Sequence, residues 1–147
     1  MKLVHNIRIR IIDRSRSDIE LAFAHLLAQA AIKEEDVKIS MSDDGEPEDP
    51  LFLGELWMDR QQPVRKTLVY ILSKLSESDK EQVAQHPEKY IDTQTHCFIK
   101  LSKQAFYDDK YELTTEPTSV NVRINLAAFP ATKEKAVNVL RTLFAKQ

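Results

Sequence analysis

The residues of this sequence best spaced for chemistry are cations rather than nucleophiles. Arg8 and Arg10 alternate with Ile7, Ile9 and Ile11, Lys100 sits between Ile99 and Leu101, and Arg123 sits between Val122 and Ile124. Successive side chains of an extended strand point to opposite faces. If these aliphatic residues, with Cys97 and Val120, face a core, then Arg8, Arg10, Phe98, Lys100, Asn121, Arg123 and Asn125 share the other face. Guanidinium forks match phosphate oxygens, side-chain amides read base edges, and an exposed Phe offers a stacking platform. Three uses fit such a face: contact with RNA, an ordinary half-solvated sheet surface, or pairing with another subunit.

A second candidate lies at the end of one of these strands. Ile99 to Leu101 alternates, and the pattern then breaks into Lys103-Gln104-Ala105-Phe106. Held at the end of a central strand, Lys103 offers a phosphate-binding cation and Gln104 an amide. The same two residues serve a structural corner equally well, with Lys103 capping carbonyls and Gln104 bonding the turn backbone.

Other chemistry lacks the residues it needs. The only glycines are Gly45 and Gly54, so there is no glycine-rich phosphate loop. His5, His25, His86 and His96 show no metal-binding spacing. His96 and Cys97 are neighbours in a strand and therefore point apart, which denies them a nucleophile–base contact. Cys97 reads as a small core residue. The acids of Asp43 to Asp49 lack the register of a calcium loop, and no serine occupies an elbow motif. No enzymatic activity, cofactor or metal is expected.

These candidates must be positioned by one domain spanning residues 1–147, a length that can bury a core without metal or disulfide. The single cysteine suggests a reducing compartment, the start of the chain reads as a strand rather than a signal peptide, and no apolar run is long enough for a bilayer. The expected location is cytoplasmic. The net charge is −2, yet Asp43 to Asp59 holds seven acids and no base, so the rest of the chain carries +5. A mildly basic body therefore bears an acidic loop, about residues 43–50, whose prolines and like charges predict a mobile insertion.

Val4 to Ile12 predicts a strand, and a capping-box pattern at Ser17–Glu20 predicts a helix to about Ala31. Strands follow at Val37–Met41 and Leu51–Met58, then a helix from Pro63 through Leu75. Ser78 to Tyr90 reads as a short helix or turn, and Thr95–Ser102 as a strand. Lys110–Thr114 and Val120–Leu126 read as a hairpin, with a last helix carrying Ala136, Val137, Leu140, Leu143 and Phe144. This order predicts an α+β fold, a single mostly antiparallel sheet with three amphipathic helices packed on one face.

Three segments also carry a family resemblance: Ile99 to Phe106, Val120 to Ile124, and Ala128 to Ala136. They resemble an archaeal RNA-binding family described as a predicted exosome subunit. That family has a strand ending in Asp-Lys-Gln-x-Ala, a Val/Ile-Arg-Ile strand, and Tyr-Pro-Ala-x-x-Glu opening the last helix. The resemblance covers about residues 95–145, with the first strand and helix fitting as well. Ser102 stands where the family usually has Asp, and Met58–Val64 replaces its Gly-His-x-Gly-Asn-Pro-Ile region.

The resemblance implies a fold similar to the ribosomal protein that holds the small ribosomal RNA of the large subunit. It also implies a non-catalytic RNA-binding role linked to RNA processing or degradation, with RNA and exosome- or ribosome-related proteins as partners. The alternative is a protein–protein adaptor or homo-oligomeric module, such as a homodimer, using the same sheet face. Under the RNA reading the contacts are Arg8, Arg10, Phe98, Lys100, Lys103, Gln104 and Arg123.

Overall fold

A computed structural model describes residues 2–30, 32–92 and 95–145. Five strands form one antiparallel sheet in the order β2-β3-β1-β5-β4. They are β1 (Val4–Asp13), β2 (Val37–Met41), β3 (Phe52–Met58), β4 (His96–Ser102) and β5 (Ser119–Leu126). Alternation in the two central strands translates directly into burial. Ile7, Ile9 and Ile11 of β1 and Val120, Val122 and Ile124 of β5 are buried, and the residues between them reach the surface. At His5 a bulge shifts the β1–β5 register by one residue, so that Val4 still faces inward.

The aliphatic face is covered by α1 (Arg16–Ala30), α2 (Gln61–Lys74) and α5 (Lys133–Ala145), the three amphipathic helices expected from periodicity. Their buried stripes include Ile19, Phe23 and Leu26; Val64, Leu68 and Ile71; and Leu140, Leu143 and Phe144. Two short helices, α3 (Glu77–Gln85) and α4 (Lys103–Tyr107), bring the number described to five.

Gly54 explains how closely α1 can approach. A Cβ built there would lie 2.3 Å from Ile19 Cγ2 and 3.0 Å from Phe23 Cε2. The glycine that weakens β3 as a strand thus lets the helix seat against the sheet.

Two local expectations change. The capping residue of α1 is Ser15, whose Oγ accepts from the Asp18 amide at 3.2 Å while Asp13 Oδ1 accepts from the Ser15 amide at 2.9 Å. Ser-x-x-acid occurs twice, at Ser15 and at Ser17. The earlier copy acts because β1 ends at Asp13 and the helix follows at once.

The second change is larger. Lys110–Thr114 does not pair with β5, whose two edges are occupied by β1 and β4. It runs instead along the outer edge of β4, where the Ser102 amide donates to the Glu112 carbonyl at 2.8 Å and the Thr114 amide to the Lys100 carbonyl at 3.0 Å. Further along the same edge, the Phe98 amide donates to the Tyr90 carbonyl at 2.7 Å. β4 is therefore an edge strand rather than a central one, with its free backbone groups covered by two irregular segments.

The acidic segment closes the β2–β3 hairpin. The Ser42 amide donates to the Leu51 carbonyl at 2.7 Å, and Arg14 pairs with Asp49 across the loop. Among the described residues no helix is long and apolar enough to cross a membrane.

Candidate nucleic-acid interface

Strand register places the candidate residues in two rows across the open face. In one, Trp57 on β3 lies opposite Arg8 on β1, Arg8 opposite Arg123 on β5, and Arg123 opposite Phe98 on β4. In the next, Lys38, Glu55, Arg10, Asn121 and Lys100 follow one another from β2 to β4. Arg8, Arg10, Phe98, Lys100 and Arg123, inferred separately from three stretches of sequence, thus share one surface. Phe98 is 39% exposed and Trp57 36%, Lys100 is exposed, and the three arginines are half-buried.

The two rows differ in electrostatics. Arg10 Nε donates to Glu55 Oε2 at 2.5 Å, so its charge is largely matched. Arg8, Lys100 and Arg123 form no ion pair among the described residues. Burial, then the neighbouring charges of Arg123 and Arg10, lower the Arg8 pKa from its ordinary value, with Glu55 opposing. Arg123 Nε is buried without a hydrogen-bond partner, and its guanidinium carbon stands 6.0 Å from the centre of the Trp57 ring. The centre of the face therefore holds like charges pressed together and flanked by aromatic rings.

The corner at Lys103 and Gln104 is built differently. Both begin α4, which Ser102 caps by accepting from the Ala105 amide at 3.3 Å. Lys103 Nζ lies 3.1 Å from Asp13 Oδ2 and donates to the Ile12 carbonyl at 2.7 Å. The Tyr107 hydroxyl donates to the same Asp13 carboxylate. Burial would raise the Asp13 pKa, but hydrogen bonds from Tyr107, the Ser15 amide and Lys103 together hold it below its usual value. The cluster locks the end of β1 to the start of α4.

The Gln104 side chain is exposed, and among the described residues it makes no hydrogen bond to the turn backbone. Of the two structural roles expected at this corner, Lys103 takes the carbonyl-capping one.

Beyond β4 the open face falls into a cavity of about 830 Å³. Phe98 and Lys100 form its near side, with Lys89 and Tyr90 on one flank and Leu113 to Glu116 on the other. Cys97 points into the core and burial raises its thiol pKa, and among the described residues no three His, Cys, Asp or Glu side chains cluster as metal ligands.

Comparison with known proteins gives this geometry a context. A family model described as RNA binding matches residues 7–126, most of the chain, from within β1 to the end of β5. The chain belongs to that RNA-binding family. The RNA-binding protein PAB1135 of Pyrococcus abyssi is 27% identical over 140 residues, covering 93% of this chain and 91% of its own. Among solved structures, the DUF54 protein AF2318 from Archaeglobus fulgidus superposes with a TM-score of 0.77 at 21% identity, covering 95% and 99% of the two chains. Mth689 from Methanothermobacter thermautotrophicus gives 0.72 at 16% identity over 97% and 99%. These structural likenesses establish the fold.

Two family motifs now have a physical reading. Ser102 replaces the usual Asp at a helix N-cap, where either side chain supplies the oxygen acceptor. Thr132 does the same for α5, accepting from the Lys135 amide at 3.3 Å. The divergent Met58–Val64 stretch is the β3–α2 junction, fixed by Arg60 Nη2 bonding Asp36 Oδ2 at 2.6 Å.

Trp57, Glu55 and Lys38 were not among the residues expected on this family member's open face. The signal was present, since Glu55 and Trp57 alternate with Leu56 and Met58 as cleanly as Arg8 and Arg10 alternate with isoleucine.

Proposed function

We propose that this protein binds RNA through the open face of its sheet and performs no chemistry on it. One observation carries the reading: Arg8 and Arg123 face each other across β1 and β5, neither in an ion pair among the described residues, while the nearby Glu55 is engaged by Arg10. Crowding like charges costs folding free energy, and a phosphate between the two guanidiniums removes that cost. Family membership and the relative named an RNA-binding protein support a nucleic acid as the source of the phosphate.

Arg8 and Arg123 take the central phosphates, Lys100 an outer one, and Phe98 a base. Arg10 contributes less, because Glu55 already engages it. Lys103 supports the site by holding β1 against α4, and Gln104 lies at its margin. The resemblance over residues 95–145 extends the reading to exosome-linked RNA processing or degradation.

Salt dependence tests it. Binding of a labelled RNA should weaken steeply as salt rises, because phosphate contacts release counterions. Arg8→Gln combined with Arg123→Gln should flatten that dependence while the melting temperature stays within a few degrees. Unchanged affinity in the double variant would remove the sheet face as the RNA site.

A further inference from the structure

We infer that the RNA this face accepts is a single strand, laid across the β-strands from Trp57 to Phe98 and continuing into the cleft beside β4. The inference rests on the reading of the face as an RNA site and adds which form of RNA fits it. Three features carry it.

The first is the order of the row, an aromatic ring, two guanidiniums and a second aromatic ring. Neighbouring strands lie about 4.8 Å apart, so the two rings, three strands apart, are separated by roughly 14 Å. Duplex RNA stacks its bases inside the helix and shows a protein only phosphates, 2′-hydroxyls and groove edges. Exposed rings on either side of a phosphate site have nothing to stack against on a duplex. A single strand with splayed bases supplies both a backbone for Arg8 and Arg123 and base faces for Trp57 and Phe98.

The second feature is the route off the sheet. The cavity of about 830 Å³ begins at Phe98 and Lys100 and passes the far edge of β4. It lies within the ordinary size range of ligand pockets. Its walls carry the Lys89 ammonium, the Gln82 amide and the half-buried Tyr90 side chain, along with the carboxylates of Glu116 and of Asp79, the latter accepting from the Leu113 amide at 3.1 Å. A strand leaving the Phe98 ring therefore meets a further cation, amide and aromatic, and the two carboxylates favour bases over phosphates away from Lys89. A rigid duplex lying on the sheet would not bend into it.

The third is the unpartnered Arg123 Nε. It is a buried donor beside the Trp57 ring, in the middle of the row. A phosphate oxygen reaching it must come close to the sheet, which a flexible backbone permits.

Trp57 is the single tryptophan of the chain and so reports on its own surroundings. The test uses the full chain and a mixed-sequence twelve-nucleotide RNA, offered alone and annealed to its complement. The single strand should quench Trp57 emission and bind at least tenfold more tightly than the duplex. Phe98→Ala should weaken the single strand roughly tenfold and leave the duplex unaffected, and Phe98→Tyr should restore binding by restoring a stacking ring. Lys89→Glu should weaken the single strand further than it weakens the duplex.

Duplex binding as tight as single-strand binding, with Phe98→Ala silent, would overturn the single-strand inference and leave RNA binding by the face intact. Single-strand binding that ignores both Phe98→Ala and Lys89→Glu would also overturn it. Failure of both probes to bind at low salt would overturn the RNA reading itself, and this inference with it.

Discussion

Arg8 and Lys103 look alike in the sequence, each a cation in an alternating or strand-ending context, yet the fold treats them in opposite ways. Lys103 meets Asp13, a residue 90 positions earlier, at 3.1 Å, with the Ile12 carbonyl and the Tyr107 hydroxyl completing the cluster. Arg8 meets Arg123, a residue of the same sign, and burial together with that neighbouring charge lowers the Arg8 pKa from its ordinary value. The corner satisfies its charges internally and so serves the structure. The sheet face leaves its charges unsatisfied and so has something to offer a polyanion. Whether a basic residue binds or braces is thus decided by the distant partner the topology delivers to it.

Charge reversal at the sheet face should have the largest effect. With Arg8→Glu and Arg123→Glu together, RNA affinity should fall about a hundredfold or more at moderate salt, because two phosphate contacts become repulsions. Folding stability should change little, since one like-charge contact replaces another on a half-exposed surface. Denaturant titration beside an RNA-binding titration checks both halves. A collapse in stability would mean that the arginines brace the sheet, and the contrast with Lys103 would fail.

Asp13→Ala should show the mirror-image behaviour. It leaves the Tyr107 hydroxyl, the Lys103 ammonium and the Ser15 amide without their shared acceptor. A loss of about 2–3 kcal/mol is expected for groups this well covered, read from the urea midpoint at neutral pH. RNA affinity measured well below the unfolding transition should change less than twofold.

The acid limb of stability should then single out the same carboxylate. The folded-state pKa of Asp13 lies below its ordinary value of 3.8. Its ionised form therefore stabilises the fold above that value, and the contribution disappears as pH falls through the lower folded-state pKa. The stability gap between the wild type and Asp13→Ala should be full at neutral pH and shrink on acidification below about pH 4. A gap that stays constant down to pH 2 would show that Asp13 acts through shape alone.

These contrasts mark what could be read from the sequence. Period-two alternation in β1, β4 and β5 is a local signal, so the sheet, its buried face and the shared surface of Arg8, Arg10, Lys100 and Arg123 were legible. The strand at the sheet edge was not, because Lys110–Thr114 pairs with β4 only after α4 has turned the chain back. That reversal depends on Ser102 capping and on Asp109 accepting from Tyr70 at 2.8 Å, a residue of α2. The role of Lys103 was hidden for the same reason, since no local pattern links it to Asp13. Gly54 reads locally as a flaw in a strand and acquires its meaning only when Ile19 and Phe23 are set against it.

Glu55 gives the smallest and most discriminating effect. It is the only acid in the two central rows of the open face, and it engages Arg10 while pulling the Arg8 pKa against its neighbours. Both partners of that pair are about a third or more exposed, so the pair contributes at most about 1 kcal/mol to folding. Glu55→Gln keeps the shape and a hydrogen-bonding oxygen but frees the Arg10 charge, which makes the face more positive by one. RNA affinity should rise a few-fold at low salt, and the slope of binding against salt should steepen by about one released counterion. Arg10→Gln placed on top should cancel the gain, because the freed cation is then gone. If Glu55→Gln leaves affinity and salt slope unchanged while Arg8→Glu remains severe, the RNA backbone touches the Trp57–Arg8–Arg123–Phe98 row and stops short of the Arg10 row. That outcome would narrow the footprint to a single line of residues across the sheet.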